Sequence, residues 1–248
     1  SARCHRMLFR MKLFSAFFTV ILALIVMIPT VQADGFGIDA TRLIYHEGVP
    51  SIVTIVRNTT HDTPYLINAS VVNSGKDKKS KLFIVLPPLF RLEPGSTNQI
   101  RITMLNGKLP HDKESLFYFT ANAIPASKKP SVTNFTDQTS GMVQFGIGNV
   151  IKLFYRPAGL KSSSEDAQKG LHFKSVISGV EVSNPSPYYV SFTGIKINNV
   201  PLSLKKIDDL MLMPFSHHLY LTSQHKGTVE WKVINDSGGV NIYSQQIH

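Results

Sequence analysis

The run Met142-Val143-Gln144-Phe145-Gly146-Ile147-Gly148-Asn149-Val150-Ile151-Lys152-Leu153-Phe154-Tyr155, closed by Arg156-Pro157, decides the fold. It is rich in β-branched and aromatic side chains and far longer than an ordinary strand of about five or six residues. Val143, Phe145 and Ile147 alternate with Gln144 and Gly146, which places the three on one face. In a closed sandwich that face is core. The length, the glycines and the polar loop before the run, Pro125 to Gly141, support a second reading. A strand at a sheet edge has unpaired backbone donors and acceptors. A partner strand can pair with them while alternate side chains fill pockets in that partner. Gly146 and Gly148 permit a bend or bulge. One is required if Val143, Phe145, Ile147 and Lys152 all serve one ligand, because Lys152 has the opposite parity.

Outward from this run, nearly every segment after Asp34 has strand character. Ile52 to Val56 is β-branched, Tyr65 to Val72 ends at Asn73-Ser74-Gly75, and Leu82 to Leu86 ends at Pro87-Pro88. Glu93-Pro94-Gly95-Ser96 is a turn, Ile100 to Met104 alternates, and Leu116 to Thr120 is aromatic-rich. Short strands with turns at this spacing predict an all-β sandwich, and no long segment has helical period. After Pro157 the polar stretch Lys161 to Gly170 marks a boundary near residue 158. Beyond it Val180 to Val182, Tyr188 to Ile197, His218 to Thr222, Gly227 to Ile234 and Val240 to Gln245 predict a second all-β domain.

Residues 1–33 read as an export signal. Arg3, Arg6, Arg10 and Lys12 form a basic region, Leu13 to Ile28 is apolar, and Val31-Gln32-Ala33 supplies small residues for cleavage. An uncleaved membrane anchor is the other reading, for which the apolar run is short. The single cysteine, Cys4, lies before the cleavage point, so the mature fold stands without a disulfide. Thiol catalysis and cysteine-ligated zinc are excluded with it. Removing the four basic side chains of the signal takes the net charge from +10 to +6. The remaining cations are scattered, and the densest group, Lys76, Lys78, Lys79 and Lys81, sits in a hairpin-like polar stretch, so no nucleic acid is expected.

The nine histidines show no metal-binding spacing. No phosphate-cradling loop is present, and Ser203-Leu204-Lys205-Lys206 matches a Ser-x-x-Lys enzyme pattern only formally. Asp208-Asp209 reads as a turn. The chain is expected to be no enzyme and to carry no cofactor, metal or nucleotide.

The run Ile151-Lys152-Leu153-Phe154-Tyr155-Arg156-Pro157 resembles the hallmark sequence of periplasmic chaperones of the chaperone–usher pathway, the PapD-like family. Further segments match in order: Ala40-Thr41-Arg42-Leu43-Ile44-Tyr45; Pro87 to Gly95; Leu109 to Phe119; Asn184-Pro185-Ser186-Pro187-Tyr188-Tyr189; Met213-Pro214-Phe215-Ser216; and Trp231 with Ile234 to Gly239. The resemblance implies two immunoglobulin-like β-sandwich domains, 34–158 and 159–248, set in an L (a boomerang) with a cleft between them. It implies a periplasmic protein that holds fimbrial subunits by donor-strand complementation and passes them to an outer-membrane usher. A self-capping homodimer of the free protein is compatible with it. Arg42 and Lys152 match the family's anchor for the subunit's C-terminal carboxylate. On spacing alone the simpler readings are favoured, Arg42 as a strand-end surface charge and Lys152 as an edge gatekeeper against aggregation; the whole set of motifs favours the anchor.

The resemblance also puts Val143, Phe145 and Ile147 in the donated strand. It puts Glu114, Arg156 and Asp236 in an interdomain charge network, and Leu66, Pro87 and Ile124 on the usher-docking surface. Core packing explains Leu66 and Ile124 equally well. Asn68 and Ser70 stand where the family has a glutamine and a tryptophan, Ser237 where a tyrosine is common, and the loop at 125–141 is longer than in the short-loop branch. The alternative is a secreted immunoglobulin-like surface or structural fimbrial component. Such a subunit needs an N-terminal donor extension, and the chain between Ala33 and Thr41 is too short for one.

Overall fold

The structure, a computed structural model, describes residues 35–74, 78–126 and 147–248. The signal, Lys76, Val143, Phe145, Gly146 and the loop from residue 127 to Gly141 lie outside them.

Among the described residues nine strands build the first sandwich: β1 (Phe36–Ile38), β2 (Arg42–His46), β3 (Ile52–Asn58), β4 (Tyr65–Asn73), β5 (Phe83–Leu86), β6 (Leu89–Leu92), β7 (Thr97–Met104), β8 (Ser115–Pro125) and β9 (Ile147–Arg156). They form sheets of order β1-β3-β7-β5 and β2-β9-β8-β4-β6. Strict alternation drives the assembly. Tyr65, Ile67, Ala69 and Val71 of β4 and Phe117, Phe119, Ala121 and Ala123 of β8 point inward against Val56, Ile100, Ile102 and Leu153. Each large buried side chain contributes on the order of 1.5–3 kcal/mol. The intervening residues, Leu66, Asn68, Asn122 and Ile124, face out.

Between β1 and β2 the chain passes from one sheet to the other. Asp39 Oδ1 holds this crossing by accepting from Thr54 Oγ1 and Ile55 N, both at 3.0 Å. The crossing puts β2 beside β9 in a parallel ladder, Arg42 opposite Lys152 through His46 opposite Arg156. On its other side β9 pairs with β8 along its whole described length, Ser115 opposite Tyr155 through Ala123 opposite Ile147.

Two expectations are corrected here. The long strand is an edge only in its first half, residues 147–151, since β2 covers 152–156. Gly148 makes no bulge: the register with β8 is uninterrupted, and Gly148 stands opposite Asn122, where a Cβ would come within 2.9 Å of Asn122 Oδ1. Glycine is needed there for close approach. Ile147 therefore lies on the face of Ile151 and Leu153, and Lys152 on that of Val150 and Phe154.

The second sandwich comprises helix α1 (Ser164–Lys169) and strands β10 (His172–Val176), β11 (Gly179–Ser183), β12 (Val190–Ile197), β13 (Val200–Pro201), β14 (Met211–Leu212), β15 (His217–Leu221), β16 (Gly227–Ile234) and β17 (Val240–Ile247). Its sheets run β10-β11-β15 and β13-β12-β16-β17, with β14 paired to β12. Buried Trp231 centres its core and donates through Nε1 to Gln168 O at 2.8 Å. The polar stretch read as a boundary contains α1, whose start is a capping box. Asp166 N donates to Ser163 Oγ at 3.1 Å, and Ser163 N to the Asp166 carboxylate at 3.2 Å.

Candidate functional site

Arg42 opens β2 and Lys152 is the first residue of β9 that β2 covers, so the parallel register alone sets the two cations side by side. Arg42 is no surface charge: it is 9% exposed. Its guanidinium lies 5.2 Å over the Phe154 ring, and Nη1 donates to Ile234 O at 3.2 Å. Its Nε is buried and, among the described residues, has no hydrogen-bond acceptor. Half-buried Lys152 donates through Nζ to Ser191 Oγ at 3.2 Å. Burial first, and then the charge of Arg42, pushes the Lys152 ammonium down to about 8. Burial also lowers the Arg42 pKa, against the opposing pull of Asp236 and Glu114. Among the described residues no carboxylate lies within ion-pair distance of either cation. Two desolvated like charges without a counter-ion are costly, and an anion with charge-assisted hydrogen bonds is what such a pair accepts.

A second ionic cluster, one guanidinium between two carboxylates, lies beside the cations. Arg156 Nε donates to Glu114 Oε1 at 2.7 Å, and its Nη1 and Nη2 donate to the two Asp236 oxygens at 2.6 and 2.9 Å. Glu114 and Arg156 belong to the first sandwich, and Asp236 to the β16–β17 turn of the second. Glu114 Oε2 also accepts from Tyr189 N at 2.9 Å, and Ser164 Oγ donates to Asp236 at 3.0 Å. Burial raises the Glu114 pKa despite the attraction of Arg156. Burial acts upward on Asp236 too, but the hydrogen bonds and charge of Arg156 outweigh it and hold the carboxyl low. Phe154 packs on Tyr189 at 5.4 Å between ring centroids, completing the contact between the sandwiches.

Beside the cations opens a cleft of about 780 Å³, lined from the first sandwich by Leu116, Tyr118, Thr120 and Val150 and from the second by Tyr189, Met211, Met213 and His218. The uncovered half of β9 borders it. Val150 is 59% and Ile147 42% exposed, and among the described residues no strand pairs with this stretch of the edge. Leu66 and Ile124 face each other across the β4–β8 ladder and are exposed, which removes core packing as their explanation. Pro87 lies in the connection between β5 and β6.

Two tandem immunoglobulin-like sandwiches with a pair of cations beside the cleft between them match known proteins along most of their length. The family model "Pili and flagellar-assembly chaperone, PapD N-terminal domain" matches residues 35–161, and "Pili assembly chaperone PapD, C-terminal domain" matches residues 166–245. The chain belongs to the PapD-like family of pilus-assembly chaperones. It is 37% identical over 208 residues to the probable fimbrial chaperone protein ElfD of Escherichia coli K12, covering 82% of this chain and 83% of ElfD. It is 34% identical over 209 residues to the Escherichia coli chaperone protein FocC, covering 83% and 87%. The E. coli chaperone DraB superposes with a TM-score of 0.73 at 27% identity, over 88% of this chain and 98% of that one. A chain of the Salmonella enterica SafA pilin–SafB chaperone complex does so with a TM-score of 0.72 at 28% identity, over 88% and 98%.

In this pilus-assembly chaperone the structure brings together Arg42 with Lys152, Glu114 with Arg156 and Asp236, and Leu66 with Ile124. Sequence reasoning missed Ser191, the Ile234 carbonyl and the Phe154 ring, all of which touch the two cations. It also missed Gly238, whose φ of +87° and closeness to Thr41 let the turn carrying Asp236 lie against the first sandwich. The paired histidines are explained locally, His218 Nε2 meeting Asp209 Oδ1 at 2.8 Å.

Proposed function

We propose that this chaperone holds a fimbrial subunit by lending it the open edge of β9 while Arg42 and Lys152 grip the subunit's C-terminal carboxylate. The observation that carries the reading is a buried arginine beside a half-buried lysine, neither with a carboxylate at ion-pair distance among the described residues, at the point where β2 stops covering β9. A client strand on the free edge of 147–151 that ends in this anchor runs the same way as β9, taking up the line of β2 from the opposite side of Lys152. Ile147, together with Val143 and Phe145, supplies the apolar ridge for the client's groove, at roughly 1.5–3 kcal/mol for each side chain buried; Lys152, on the opposite face, reaches only the client's terminus, so the two need no bulge between them. Glu114, Arg156 and Asp236 set the angle between the domains, 34–158 and 159–248. Leu66, Pro87 and Ile124 form the surface that docks on an outer-membrane usher, where the client exchanges the lent strand for its neighbour's. The protein works in the periplasm after loss of residues 1–33. It uses no nucleotide, cofactor, metal or nucleic acid and catalyses no reaction. Between clients a second copy can cover the same edge as a self-capping homodimer.

Co-expression with a fimbrial subunit and co-purification from the periplasm tests this. Arg42→Ala and Lys152→Ala should accumulate as folded chaperone without bound subunit. Subunit recovered at wild-type yield with both variants would remove the anchor.

A further inference from the structure

Both cations of the anchor come from the first sandwich, and each is held by an atom of the second. Arg42 Nη1 donates to Ile234 O and Lys152 Nζ to Ser191 Oγ, each at 3.2 Å. A carbonyl only accepts, so Ile234 does no more than orient the guanidinium. A serine hydroxyl has a proton to give as well as lone pairs to receive. Ser191 Oγ receives from Lys152, and among the described residues no acceptor takes its own proton. Ser191 is nearly fully buried, so this spare donor lacks bulk water as a partner. Tyr189, just before the strand of Ser191, packs on Phe154 of β9, and the ladder partner of Ser191, Met211, lines the cleft. The neighbouring Arg42 Nε is likewise buried without an acceptor. Lys152 links the two, as register partner of Arg42 and hydrogen-bond donor to Ser191.

We infer that Ser191 is the third ligand of the client's C-terminal carboxylate, its hydroxyl proton donated to the carboxylate while its oxygen holds the Lys152 ammonium in place. This rests on the reading of Arg42 and Lys152 as the anchor. It makes the anion site a composite one, complete only when the second domain is docked on the first. A carboxylate needs several donors once removed from water, and the three groups bring donors of different reach: a fixed guanidinium, a mobile ammonium and a short hydroxyl.

The test is calorimetric titration of the purified chaperone with a short synthetic peptide of alternating apolar and polar residues, used with a free C-terminal carboxylate and as its C-terminal amide. Wild type should prefer the free acid. Ser191→Ala should weaken the free acid roughly tenfold, as expected for losing one hydrogen bond to a charged group. It should leave the amide unchanged, and Ser191→Thr should restore the preference. If the alanine variant does not fold, Ser191→Cys, with a far weaker donor, takes its place. A full preference for the acid in a variant lacking the hydroxyl, or equal weakening of both peptides, overturns the role of Ser191 and leaves the anchor standing. Wild type that binds neither peptide, or both equally, overturns the anchor and Ser191 with it.

Discussion

Replacing Arg156 by methionine tests what the ionic cluster between the sandwiches contributes. Arg156 serves two carboxylates in unlike surroundings: the Glu114 side chain is 2% exposed, that of Asp236 40%. Arg156→Met removes the 2.7 Å bond to Glu114 Oε1 and leaves that buried carboxylate with the Tyr189 amide alone. An uncompensated buried charge costs about 3–5 kcal/mol, a fall in Tm of roughly 6–20 °C for a protein of this size. Asp236 keeps Ser164 and partial hydration, and adds less than ~1 kcal/mol. Glu114→Gln deletes the charge, keeps an oxygen for Tyr189 N and leaves Arg156 bound to Asp236, so it costs only about 1 kcal/mol. The double variant Glu114→Gln/Arg156→Met should lie within about 2 kcal/mol of wild type, well short of the sum of the singles. Urea unfolding followed by far-UV circular dichroism, and by the fluorescence of Trp231, the sole tryptophan, measures all three. The pH dependence supplies a sign. Burial already raises Glu114 in the folded state, and loss of Arg156 raises it further. The folded variant therefore binds a proton more readily than the unfolded chain, and its deficit shrinks as pH falls through the raised value. Glu114→Gln as damaging as Arg156→Met, or additive singles, would refute the reasoning.

Two further outcomes are expected. Lys152 is held at about 8 when folded, against an ordinary 10.5, so between these values the unfolded chain keeps a proton that the folded one releases, and stability rises with pH across that window. Thermal melts from pH 7 to 10 should show wild type gaining on Lys152→Met above pH 8, while client affinity falls over the same range. A constant difference would place Lys152 in water. Gly238→Ala puts a Cβ 2.5 Å from Thr41 Oγ1 at a φ of +87° and should cost more than ~1 kcal/mol. Thr41→Ala should recover the steric part alone, as read from Tm.

How much of this could be read in advance depended on whether the relevant signal was local. The alternation of Tyr65 to Val72 and of Leu116 to Thr120 predicts strands because neighbouring residues carry the pattern, and both appear as β4 and β8. Strands β13 and β14, two residues each, are too short to show a period. Helix α1 carried its Ser163-x-x-Asp166 start in plain view, but six residues give no stripe. The parallel pairing of β2 with β9 joins segments far apart in the chain, and no local pattern announces it. Without it Lys152 reads as an edge charge and Arg42 as a strand-end one. The resemblance picked out both, whereas the chemistry of either became visible only when burial and register were known. Ser191 had no signal at all: a serine in an apolar strand is ordinary until a lysine from another domain reaches it.

If Arg42 and Lys152 anchor a client's C-terminal carboxylate, as we propose, the place of that anchor along β9 has a mechanical consequence. Strand pairing by backbone alone leaves register loosely specified, and a slip of one residue turns every side chain of the client to the wrong face. A carboxylate occurs once in a client strand, at its end. Fixed beside Lys152, where the cover of β2 begins, it sets the zero of the register for every residue upstream along Ile151 to Ile147. The uninterrupted pairing of β9 with β8 keeps that scale rigid, since a bulge at Gly148 would shift the phase of all positions beyond it. On that proposal, specificity for a chain terminus and specificity of alignment come from one pair of cations. Among the described residues neither cation has a carboxylate within ion-pair distance, which on the proposed reading leaves the place open for the client's.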